Sequence, residues 1–304
     1  MLSSISNEAE DYLFDEQREK KSAIPEKGFL YLFMKLIFFG TSDFSKPIFE
    51  ALKKEDYSPI LWSLDNSFDD FKKMQPDICI VAAYGKIIPK EYLEIPKYGF
   101  LNIHPSLLPK YRGPSPIQAA ILNGDKETGV TIILMDEKID HGQIIAYEKL
   151  KIKNEKYKDL ENRLTKLGGK LLIEILPEWT IGKIKAKEQN HNEATFTKKF
   201  SWENGKIDWS KSAEEIDRQI HALNPEPGTW TKWQGKILKI LETKPLESKI
   251  VDETGKIIFI EDQIIVKCGQ NALFLKKVQL EGRKPTQIQD FIRGHQNFIN
   301  SVLT

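Results

Sequence analysis

The chain has 304 residues, 40% of them apolar, with 45 Lys and Arg against 44 Asp and Glu, a length that calls for two cores and a composition that excludes wholesale disorder. Its two cysteines, Cys79 and Cys268, lie far apart with no C-x-x-C pair, which argues against a disulfide framework or a thiolate zinc site and fits a reducing cytoplasm. The apolar run Phe29 to Phe39 is interrupted by Lys35 and is too short to cross a bilayer, so a buried strand is expected there and not an anchor or signal segment.

Residues 1 to 33 hold seven acids and four bases without a sustained apolar period, so a poorly ordered extension is expected and Met34 opens the first element. Lys35 to Phe39 reads as a short strand ending at Gly40, and Phe44 to Lys54 spaces Phe44, Ile48, Phe49 and Leu52 as a helix does. A strand, a glycine turn and a helix open a doubly wound sheet, whose ligands gather beyond the carboxyl ends of its strands. Pro59 to Ser63 reads as an edge strand, Phe68 to Met74 as a short helix and Ile78 to Ala83 as a fully buried strand. Phe100 to His104, Gly129 to Met135 and Gln143 to Ile152 supply further strands, with a helix at Pro116 to Leu122. From Tyr157 to Ile175 the leucines fall on one helical face, and Pro177 is expected to stop that helix.

Ile181 to Asn192 lacks a period and carries many charges, which marks a linker over residues 181–194 between units at 34–180 and 195–304. Beyond it come short apolar runs at Ile207 to Trp209, Thr229 to Trp233, Lys236 to Leu241, Lys256 to Ile260, Gln263 to Val266 and Ala272 to Val278, a spacing that predicts a small β-barrel. One helix interrupts it, Ala213 to Leu223, with Ser212 as its N-cap and Pro225 ending it. The expected fold is therefore α/β, a doubly wound and mostly parallel sheet followed by a small barrel. Lys149 to Lys187 holds eleven bases and five acids; a polyanion surface and a solvated helix face both account for that excess.

The residues best placed for chemistry are Asn102 and His104, which share one face of a strand because side chains alternate with period two. Acyl transfer to an amine passes through an oxyanion that an amide N–H or an imidazolium can stabilise, while a base takes the amine's proton. Asp140, in the turn Lys138 to Gly142 after another strand, can be that base. The bland alternatives are a surface histidine and a turn-forming aspartate. No H-x-x-x-H or C-x-x-C spacing occurs, so no metal is expected.

The run Asn102-Ile103-His104-Pro105-Ser106-Leu107-Leu108-Pro109-Lys110-Tyr111-Arg112-Gly113 resembles the signature of the folate-dependent formyltransferases, and Met135 to Gly142 resembles their second motif. Phe39 to Phe44, Ala83-Tyr84-Gly85 and Gly113 to Gln118 extend the likeness, which leaves only residues 1 to 33 outside. The resemblance implies a Rossmann-like formyltransferase unit with Asn102, His104 and Asp140 as catalytic residues. It implies a 10-formyltetrahydrofolate pocket lined by Ser106, Leu107, Leu108, Pro109, Ala83, Tyr84, Gly85, Met135, Asp136, Glu137 and Ile139. Asn204 to Trp209, Ser212 to Ile216 and Leu223 to Gly228 resemble the carboxyl-terminal, oligonucleotide-binding-type (OB-like) barrel of methionyl-tRNA formyltransferases. That implies initiator methionyl-tRNA as acceptor and a monomeric cytoplasmic enzyme without a membrane partner. Between the first helix and the strand at Ile78, however, the family carries a longer segment with a basic, Gly-rich loop, and only Glu55 to Pro76 stands here. A sugar-nucleotide N-formyltransferase, a formyltetrahydrofolate hydrolase and an inactive RNA-binding module are the rival readings.

Overall fold

A computed structural model gives the fold of residues 34–304, and the extension expected at residues 1 to 33 lies outside the described residues. Among these residues the first sheet comprises β1 (Leu36–Phe39), β2 (Ile60–Leu61), β3 (Ile78–Val81), β4 (Phe100–His104), β5 (Glu127–Leu134) and β6 (Gln143–Lys151). Their order is β2-β1-β3-β4-β5-β6, parallel from β2 to β4 and antiparallel from β4 to β6. Helices α1 (Ser45–Lys54), α2 (Phe68–Met74), α3 (Lys90–Leu93), α4 (Pro116–Leu122) and α5 (Tyr157–Thr180) accompany it.

Because a strand pleats with period two, alternate residues enter opposite cores. Leu36, Phe38, Ile78, Ile80, Leu101 and Ile103 share one core with Ile48 of α1 and Leu164 and Leu172 of α5. Ile37, Phe39, Cys79, Val81 and Phe100 turn the other way, towards Phe71 of α2 and Tyr92 of α3. Each such side chain contributes about 1.5–3 kcal/mol by leaving water. A slip of one residue would reverse both faces, so the register is firmly set. Asn102 and His104 continue the Phe100 row of β4, beyond its apolar part.

The long helix does not stop at Pro177 as expected but runs on to Thr180. A proline near a helix end removes only one backbone donor. The turn beyond it is held by Thr180 Oγ1, which donates to the carbonyls of Leu176 and Pro177 at 3.0 Å each, and by Trp179 Nε1, which donates to Tyr98 O at 3.0 Å.

Past α5 the chain lays Ile184 and Ala186 along the first core, pairs Lys187 with Ile144 of β6 and buries Gln189. Helix α6 (Ala213–Leu223) begins at a capping box: Ser212 Oγ accepts from Glu215 N at 3.2 Å, and the Glu215 carboxylate accepts from Ser212 N at 3.0 Å. The second sheet is antiparallel, with β7 (Trp230–Trp233), β8 (Lys236–Leu246), β9 (Ile257–Ile260), β10 (Gln263–Lys267) and β11 (Ala272–Leu280) in the order β7-β8-β11-β10-β9, and β12 (Thr286–Gln287) paired to β11. A register shift between Leu275 and Val278 against β8 marks a bulge, which bends and twists a sheet. The final residues bridge the two edge strands: Thr304 exchanges bonds of 2.7 and 3.1 Å with Lys232 of β7, and Ser301 O accepts from Ile257 N of β9 at 2.8 Å. The result is a curled half-barrel of the OB-like kind.

Ile207 to Trp209 is not the strand expected. Ile207 N donates to Trp230 O at 2.8 Å, and the chain then turns at Asp208, whose Oδ1 accepts from Ser210 N at 3.0 Å. Helix α7 (Ile288–Gly294), which buries Ile288 and Phe291, was not expected either. The halves meet at α6: Ala222 and Leu223 belong to the first core, and Arg218 Nε donates to Leu122 O at 3.2 Å. Cys79 and Cys268 are free and lie in different cores, where burial pushes both thiols up, that of Cys268 to about 12. No helix among the described residues is long and apolar enough to cross a membrane.

Candidate active site

The open end of β4 carries Asn102 and His104, and the turn joining β5 to β6 carries Asp140 to meet them. Asn102 Nδ2 donates to Asp140 Oδ1 at 3.1 Å, and His104 Nδ1 lies 3.5 Å from the same oxygen. His104 Nε2 is 2.9 Å from Tyr111 O. A carbonyl only accepts, so Nε2 bears a hydrogen and Nδ1 is the nitrogen turned to Asp140. The other carboxylate oxygen of Asp140 accepts from Gly113 N at 2.7 Å. Ala83, Tyr111 and Asp140, with φ of 46°, 61° and 48°, are non-glycine residues in the left-handed region, and such strained backbone gathers at functional sites.

The Asn102, His104 and Asp140 side chains line a cavity of about 510 Å³ together with Ala83, Tyr84, Gly85, Met135, Asp136, Glu137 and Ile139. Ile87 and Ile139, which also line it, are 73% and 62% exposed, an unusual position for large apolar side chains. Tyr84 is tied down by Leu64 N, which donates to its hydroxyl at 2.6 Å. Nearby, Lys86 bonds Asp65 at 2.7 Å and holds that carboxyl below its usual range.

Ser106, Leu107, Leu108 and Pro109, expected in the folate pocket, do not line this cavity. Their polar groups turn inward: Ser106 Oγ donates to Lys110 O at 2.6 Å, while Thr131 Oγ1 donates to Ser106 O at 2.7 Å and accepts from Leu108 N at 3.1 Å. With Ser106 and Leu108 buried, the segment braces the loop that returns to Tyr111 against β5.

Residues 34–176 match the Formyl transferase family and residues 199–296 match the Formyl transferase, C-terminal domain family. The methionyl-tRNA formyltransferase of Methylacidiphilum infernorum is 38% identical over 314 aligned positions, covering 89% of this chain and 98% of that protein. The chain belongs to the methionyl-tRNA formyltransferase family. It is a formyl-transferring enzyme. The family member of Caldanaerobacter subterraneus subsp. tengcongensis is 40% identical over 227 positions, 74% of each chain. HypX from Aquifex aeolicus, solved in complex with tetrahydrofolic acid, shares the fold with a TM-score of 0.68 at 20% identity over 88% of this chain. This chain spans about half of HypX, 48% of its length.

Around the formyltransferase motifs the structure adds groups that the sequence did not single out. Arg112 and Gln189 are 3% and 4% exposed. Arg112 Nε and Nη2 donate to Gln189 Oε1 at 3.2 and 2.6 Å, and Nη2 lies 2.8 Å from His191 Nδ1. Burial pushes the Arg112 guanidinium's pKa down, and Asp140 and Asp136 oppose that. His191 stacks on His141 at 4.1 Å, and His141 Nδ1 lies 2.6 Å from Asp136 Oδ2. Arg112 lies within the signature run and so was within reach of sequence reasoning; Gln189 stands in an aperiodic stretch and gave no signal. Among the described residues no group of three or more His, Cys, Asp and Glu side chains can hold a metal ion.

The basic stretch is only partly free. Lys149, Lys156, Lys158, Arg163 and Lys170 pair with Glu127, Glu242, Asp43 and Glu161, Glu155, and Glu174, respectively. Lys151, Lys153, Lys166, Lys183, Lys185 and Lys187 are exposed and form no ion pair among the described residues.

Proposed function

We propose that this enzyme transfers the formyl group of 10-formyltetrahydrofolate to the α-amino group of initiator methionyl-tRNA, with Asn102, His104 and Asp140 as its catalytic residues. The observation that carries this reading is the convergence of an amide, an imidazole and a carboxylate on one wall of the cavity beyond β4. The amine nitrogen adds to the formyl carbon, and the formyl oxygen takes the negative charge. Asn102 has a second amide N–H beyond the one given to Asp140, and with the His104 imidazole it stabilises that oxyanion. Asp140 accepts the proton that the amine loses and returns one to the folate nitrogen as its bond to the formyl carbon breaks. Tetrahydrofolate and the formylated amine leave, and no metal takes part in these steps.

The pterin and adjoining ring of the folate are apolar in face and polar at the edge, which suits a cavity with Ile87 and Ile139 at its surface and backbone groups of Ala83 to Gly85 and Met135 to Ile139 along its wall. The relatives' activity and the unpaired lysines of the Lys149 to Lys187 stretch support a tRNA acceptor, since phosphates are met by free positive charge. In this reading the helices and strands of the catalytic unit end near residue 180, the linker to residue 194 packs back onto that unit, the half-barrel serves the tRNA, and the enzyme acts as a monomer in the cytoplasm, away from membranes.

Purified enzyme given radiolabelled formyl folate is expected to label methionyl-tRNA and not an aminosugar nucleotide; label on the sugar would overturn the acceptor, and release of formate alone would make the enzyme a hydrolase. His104→Ala and Asp140→Ala are each expected to lower turnover by about 10²–10⁴-fold with folding intact. Near-normal turnover in either variant would remove that residue from the mechanism.

A further inference from the structure

Gln189 comes from the connection between α5 and α6, away from the signature motifs, yet it is among the most buried polar residues of the site. Its Nε2 donates to two carbonyls of the turn that carries Asp140, Asp140 O at 3.0 Å and Gly142 O at 2.7 Å. Its Oε1 accepts from Arg112 Nε at 3.2 Å and Nη2 at 2.6 Å. A guanidinium only donates and a carbonyl only accepts, so the amide can face these partners in one orientation alone.

Arg112 is flanked by two backbone groups of the proposed chemistry. Tyr111 supplies the carbonyl that holds His104 Nε2, and Gly113 supplies the N–H that holds Asp140 Oδ2. A single buried amide thus joins the loop that orients the imidazole to the turn that presents the carboxylate. The turn needs such support, because Asp140 sits at φ 48°.

We propose that Gln189 is a positioning residue for formyl transfer: it locks the Asp140 turn against the Tyr111–Gly113 loop and so sets the Asp140 carboxylate relative to the reacting formyl group. This rests on the reading of Asp140 as the proton acceptor. The distinguishing property is that Gln189 acts through Asp140 and touches neither substrate.

The test compares Gln189→Ala and Gln189→Glu in the full chain. The glutamate keeps the shape and the Arg112 partner, so the protein folds, but a carboxylate has no hydrogen to give the two carbonyls. Both variants are expected to lose about 10²-fold in kcat, the order that misplacing a reacting group by about 1 Å produces, while KM for each substrate stays within about threefold. In an Asp140→Ala background, Gln189→Ala should produce no further loss, because the group it positions is gone. Wild-type kcat in both single variants, a defect confined to KM, or a loss that multiplies that of Asp140→Ala would each overturn the proposal. Normal turnover by Asp140→Ala would instead overturn the reading of Asp140 itself, whereas an inactive Asp140→Ala beside fully active Gln189 variants would sink this inference alone.

Discussion

His104 and Asp140 lie far apart in the chain, on β4 and on the turn between β5 and β6, and what brings them together is backbone. A carbonyl from Tyr111 and an N–H from Gly113, two residues apart, hold the imidazole and the carboxylate, respectively. Gly113 has φ 104°, and a Cβ there would meet Thr197 O at 2.8 Å. Gly113→Ala is therefore strained twice over, by about 1–3 kcal/mol for the backbone alone. It should lower formyl transfer at least about tenfold by displacing the N–H from Asp140; steady-state kinetics beside a circular dichroism spectrum would check this, and an active, normally folded variant would refute it. At this scale Asn102 and His104 were legible, because period two puts them on one strand face whatever surrounds them. The Tyr111 carbonyl was not, since a backbone acceptor leaves no mark in side-chain identity.

Helix α5 shows how an element is fitted to the sheet beneath it. Gly168 and Gly169 lie side by side in it, but they meet different neighbours. A Cβ on Gly168 would come within 2.9 Å of Ile103 Cγ2, on the residue between Asn102 and His104, whereas a Cβ on Gly169 would lie 3.4 Å from Ala51 Cβ, an ordinary contact. Gly168→Ala should destabilise, since overpacking costs about 1–3 kcal/mol against a gain in helix propensity of about 1 kcal/mol. Gly169→Ala should stabilise by about 0.5–1 kcal/mol. Urea midpoints that move in the same direction for both would contradict the packing described. Apolar period placed most helices and strands within a residue or two, and the Ser212 cap was readable as a local pattern. The passage of α5 through Pro177 was not, because its last turn depends on Tyr98, far away in sequence. Nor was the inward course of Ser106 to Pro109, which is decided by the Thr131 hydroxyl on another strand.

For the molecule as a whole, the two sheets are joined through α6. Leu223 is 1% exposed and packs in the first core although its helix also supports the second. Leu223→Ala should cost about 2–5 kcal/mol through the cavity it leaves, and protection from hydrogen exchange should fall in β4 and β5 as well as in α6. Loss of protection in the half-barrel alone would show that the two cores open independently. The connection from α5 reinforces the joint, since residues 187–197 hold β6, Arg112 and Ser115 by backbone and side-chain bonds. Most element types, the two cores, the amide and imidazole on β4 and the formyltransferase motifs follow from the order of residues, because periodicity and strand alternation are local properties. The closing of the half-barrel by residues 301–304, the withdrawal of Ser106 to Pro109 from the cavity and the service of Gln189 to the Asp140 turn arise only when distant segments pack together, because each is a hydrogen bond between groups whose sequence separation carries no pattern.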